Sequence, residues 1–152
     1  MTDEEELIPT AIAADAYGSV GSMPADAANS MFKEFIGSVT RGCVKAGSKM
    51  IGHIKANVRS GGELLSMSST TDDGNVRCRS LLANEVNDYS LTVNVIVYGL
   101  DRRTAARILA ENAERILTDV KIKIYSESGC EEPDCGDPMC SNKDHKRVID
   151  IV

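Results

Sequence analysis

Three cysteines and a histidine near the end of the chain are the residues best suited to chemistry. Cys130, Cys135, Cys140 and His145 recur at equal intervals, in the pattern C-x4-C-x4-C-x4-H. Such a set suits Zn²⁺, which takes four tetrahedral N and S ligands at about 2.0–2.3 Å. Pro133, Gly136 and Pro138 place turns between the ligands, and no apolar period runs through residues 126–148. A metal would supply the folding free energy that such a segment lacks. An iron–sulfur cluster on the same residues is the less usual alternative. Ordinary or redox-active thiols are the other readings. A disulfide framework is disfavoured by the odd number of tail cysteines and by the absence of a signal-peptide pattern. The cysteine usage points to a reducing, cytoplasmic compartment.

Other catalytic constellations are missing. The chain has no phosphate loop, no nucleophile elbow and no dinucleotide fingerprint. His53 has no Ser, Cys or acid partner at a recognisable spacing. An enzyme using His53 or an open tail metal is therefore the least favoured function class. The hydroxyl run 66–70 reads as an exposed strand. Cys43 and Cys78 fall on inward positions, where Cys behaves as a small apolar residue.

A second candidate site depends on strand alternation. Successive side chains of a strand point to opposite faces. His53, Lys55, Asn57 and Arg59 then share one face of a strand, as do Arg77 with Arg79, Thr92 with Asn94, and Lys121 with Lys123 and Tyr125. If helices cover the other face, the open one carries six Lys and Arg together with His53. That face would hold an acidic protein partner, a second copy of the chain, or RNA or a nucleotide. Tyr98 and Tyr125 are its candidate aromatics, and the aromatic run of RNA-recognition sheets is absent. A solvated polar sheet face is the plain alternative.

These residues need elements to position them. In residues 25–48, Phe32, Phe35, Ile36, Val39, Cys43, Ala46 and Met50 continue a three-and-four spacing, which predicts an amphipathic helix with its adjoining residue. Gly37, Gly42 and Gly47 point to close packing or a break near Gly47. Strands are expected at 50–59, 63–70, 76–82 and 90–98, with turns at Gly61-Gly62 and at residues 72–75. Asp101 is a plausible cap for a helix over 102–117. A final strand at 120–125 completes a β-α-β crossover, whose strands should be parallel. The order α-β-β-β-β-α-β predicts an α+β domain over 25–126. Its sheet would be mixed, mostly antiparallel, of about five strands, with two helices on one face. Residues 1–24 read as an acidic flexible N-terminal arm, and 127–152 as the Cys/His-rich metal-binding tail.

Composition frames both sites. The 152 residues are 42% apolar and 26% charged, enough for a packed core, with a net charge of −6. Residues 1–30 hold six acids and no Lys or Arg; the rest of the chain is neutral overall, with a basic stretch over 31–80. A general polyanion binder is disfavoured, but a local one is not. The acidic arm could lie across the basic face and screen it. No apolar run approaches the ~20 residues of a membrane helix. The first expectation for function is thus a small zinc-binding accessory or protein-interaction module. An RNA- or nucleotide-binding module is the second.

Overall fold

The apolar periods translate into nine elements. The computed structural model describes residues 8–117, 119–126 and 149–151. In chain order they form β1 (Pro9–Met23), α1 (Ala25–Lys45), β2 (Met50–Ser60), β3 (Glu63–Ser69), β4 (Arg77–Arg79), β5 (Val86–Tyr98), α2 (Arg102–Ile116), β6 (Lys121–Ser126) and β7 (Ile149–Ile151). The strands make one sheet in the order β4-β3-β2-β5-β1-β6-β7. Every neighbouring pair is antiparallel. The α+β class is as expected, but the strand count is higher.

The main difference lies at the N-terminus. Residues 9–23 are not a free arm. They are strand β1, inserted between β5 and β6. Ile12, Ala14 and Ala16 are buried while Asp15 and Tyr17 are exposed, a period of two. The period is written mostly in alanine, so hydrophobic size hides it. The expected boundary at residue 24 therefore cuts through one sheet. Because β1 runs antiparallel to both β5 and β6, those two strands are parallel to each other, with β1 between them. The same holds for β1 and β2 around β5. These are two interleaved split β-α-β units, the ferredoxin-like order, with β3 and β4 extending one side and β7 the other.

Both helices cover one face. Phe32, Phe35, Ile36, Val39 and Cys43 of α1 are fully buried, as are Leu109 and Ala113 of α2. Their partners in the sheet are Ile12, Ile54, Val58, Leu65, Val93, Val95 and Val97. Phe32 meets Tyr89 edge to face, with centroids 4.9 Å apart and planes at 70°. Burying each Phe, Ile, Leu or Val among them is worth about 1.5–3 kcal/mol. Thr40 donates to the Ile36 carbonyl at 2.9 Å, and Ser69 Oγ lies 3.1 Å from its hydroxyl, which ties α1 to β3. Gly42 marks the tightest helix contact: a Cβ there would lie 2.8 Å from Ile108 Cγ2.

Three element ends depart from the periodicity. Helix α1 stops at Lys45, so Ala46 is only its C-cap and Met50 belongs to β2, where it is 44% exposed. Strand β4 is three residues long, where a strand over 76–82 was expected. Side chains hold the residues after it instead. Asn29 both accepts from Leu82 N–H and donates to its carbonyl at 3.0 Å, and Glu63 accepts from the N–H groups of Ala83 and Asn84. Strand β5 starts four residues early, at Val86, because Val86 and Tyr89 turn inward to the core. Asp101 caps α2 as expected, accepting from Thr104 N–H at 2.7 Å.

Candidate interface on the open sheet face

With the helices on one side, strand alternation delivers a fixed set of side chains to the other. Register then orders them into transverse rows. In one row Arg77, Ser68, Lys55, Asn94, Ala13 and Tyr125 lie side by side from β4 to β6. The next holds Arg79, Ser66, Asn57, Thr92, Asp15 and Lys123. The third holds Leu64, Arg59, Ser90, Tyr17 and Lys121. His53 stands beyond the first row, opposite Ile96, just after a register shift in β2. All seven residues expected on the basic face (His53, Lys55, Arg59, Arg77, Arg79, Lys121 and Lys123) occupy that face, and all are exposed or half-buried.

The charge is not spread evenly. Four cations sit on β2 and β4, and two on β6. Between them β5 and β1 contribute no cation to the three rows. They form a floor of Ser90, Thr92, Asn94, Ala13 and Tyr17, with Asp15 the single carboxylate in the three rows and Asp88 exposed on the same face just beyond Ser90. The walls on β2 and β6 are three strand spacings apart, about 14 Å. Among the described residues, none of the six Lys and Arg is in an ion pair, and neither is Asp15. Tyr17 is 47% exposed and Leu64 39% exposed. At the Gly61-Gly62 turn the third row runs into an open cavity of about 460 Å³ lined by Arg59, Glu63, Leu64, Asp88 and Ser90. Ser66 donates to Asn57 Oδ1 at 2.9 Å, which fixes that amide on the face.

The gate expected of the N-terminal arm is corrected for residues 9–23 alone, since Asp3, Glu4, Glu5 and Glu6 lie outside the described residues. Residues 9–23 cannot cover the face, because they are part of it. They bring Asp15 and Tyr17 to its centre, two residues that the strand reading of 50–125 did not include. The signal was the alternation of Ile12, Ala14 and Ala16 with Asp15 and Tyr17.

The two described thiols lie off this face. Cys43 is fully buried, and burial pushes its thiol from the ordinary 9.0 up to about 11. Cys78 is half-buried rather than buried, because β4 is the edge strand and leaves one side open. Burial raises its thiol too, and the Lys33 charge opposes that rise. Neither is poised as a thiolate nucleophile. Cys130, Cys135, Cys140 and His145 lie outside the described residues. Among the described residues, no group of three or more His, Cys, Asp and Glu converges on a metal-sized site. Among them, too, no helix is long and apolar enough to cross a membrane. No protein family, curated protein or solved structure matches the chain.

Proposed function

We propose that the open sheet face binds a polyanion, and that the chain works as a binding module. One observation carries this reading: register gathers six Lys and Arg, none in an ion pair among the described residues, from three strands onto one face that neither helix covers. A chain of net charge −6 that concentrates cations on one surface has a local field opposite to its global one. The salt dependence of binding tests it. For a single-stranded polynucleotide the slope of log K against log salt is about −0.7 per phosphate contacted, so six contacts give about −4. Arg77→Glu with Arg79→Glu should cut affinity sharply and flatten that slope. Both residues are exposed on an edge strand, so the fold should persist. Salt-independent binding, or no effect of the double substitution, would overturn the proposal.

Zinc binding by Cys130, Cys135, Cys140 and His145 is a second reading, favoured by the pairing of β6 with β7. Ile122, Lys123 and Ile124 are registered opposite Ile151, Asp150 and Ile149. The segment bearing the four candidate ligands therefore starts and ends at one sheet edge, which lowers the entropy cost of gathering them on one ion. Metal analysis of protein purified under reducing conditions without a His tag decides it. A tight site should stay filled; less than ~0.2 equivalents of any transition metal would rule it out.

A further inference from the structure

We infer that the polyanion is a single-stranded nucleic acid, lying with its phosphates on the β2–β4 margin and its bases over the β5–β1 floor. This rests on the polyanion reading above and narrows it. Three observations point the same way. The first is the segregation of charge. An acidic protein carries its charge on side chains and has no use for a neutral strip, whereas a polynucleotide has a charged backbone beside flat neutral bases. The second is Asp15. An unpaired carboxylate in the middle of the floor repels phosphate there and leaves the margin as the place for the backbone. The third is Tyr17. Its half-exposed ring stands on the floor one strand from Ser90 and two from Arg59, about 10 Å from that margin.

An exposed ring at that position stacks on a base only if the base face is free. A duplex hides its base faces, so it leaves Tyr17 unused. The neutral side chains around the ring, Ser90, Thr92 and Asn94, offer both donors and acceptors to base edges. A second copy of the chain is a poor occupant, because pairing this face with itself would set six cations against six.

The experiment is a set of anisotropy titrations on the full chain under reducing conditions. The probes are a labelled mixed-sequence RNA 12-mer, its DNA equivalent, the duplex of the same sequence, and labelled polyglutamate, each with wild type and Tyr17→Ala. Circular dichroism verifies that the variant is folded. Expected is tighter binding of the single strands than of the duplex or polyglutamate. Tyr17→Ala should weaken single-strand binding about tenfold and change polyglutamate binding less than twofold. Equal affinity for all four probes with no effect of Tyr17→Ala would overturn the inference and leave the polyanion surface standing. Tighter binding of polyglutamate would replace the nucleic acid with an acidic protein. Binding of none of the probes would overturn both proposals.

Discussion

Two buried ionisable groups set how this protein answers to alkali. The Cys43 thiol is pushed up to about 11 by burial, and the Tyr89 phenol to about 12 by burial and then by the Asp119 carboxylate. Both are raised, so the folded state holds its protons more tightly than the unfolded one. Their stabilisation is complete below about pH 9 and is lost as pH climbs through 9 toward 12. The urea midpoint should be flat from pH 7 to 8.5 and fall steadily above 9. Cys43→Ala should remove the earlier part of that decline, and a midpoint insensitive to pH up to 11 would contradict the assignment. The open face behaves differently because its charges are solvated; its ionic interactions respond to salt instead.

The elements show what the chain made legible. Strand β5 and helix α2 stood out, because β-branched residues crowd one and a capped three-and-four period marks the other. The basic face was legible for the same reason. Parity alone assigns Lys55, Arg59, Arg77, Arg79, Lys121 and Lys123 to one side once their strands are found. Strand β1 was missed, because alanines carry a period of two without carrying bulk. The shortening of β4 was hidden because the side chains of Asn29 and Glu63, far off in sequence, satisfy the backbone that a strand would have paired. The glycines of α1 predict close packing or a break near Gly47, and both occur: Gly42 packs against Ile108, and Gly47 lies just past the end of the helix at φ +105°. Gly42→Ala should raise intrinsic helicity by up to ~1 kcal/mol yet destabilise the protein by about 1–3 kcal/mol, since the new methyl meets Ile108. Adding Ile108→Ala should recover part of the Gly42→Ala loss in denaturant titrations.

At the scale of the whole molecule, the sheet is one cooperative unit from residue 9 onward. The full chain should unfold in one sharp transition. Removing residues 1–23 should abolish it, because the backbone groups of β5 and β6 that face β1 would lose their partners together with the Ile12, Ala14 and Ala16 packing. Thermal melts of the full and the shortened chain settle this. A sharp transition in the shorter chain would mean that the sheet closes without β1. The central place of β1 also bears on biosynthesis. Strand β1 leaves the ribosome well before either of the neighbours it pairs with: Ile12 is registered against Val95 on one side and Ser126 on the other. Such non-local pairings are slow to form. Until β5 and β6 have emerged, β1 is a nascent strand with nothing to pair with. The pairing of β1 must therefore wait until β6 has been made.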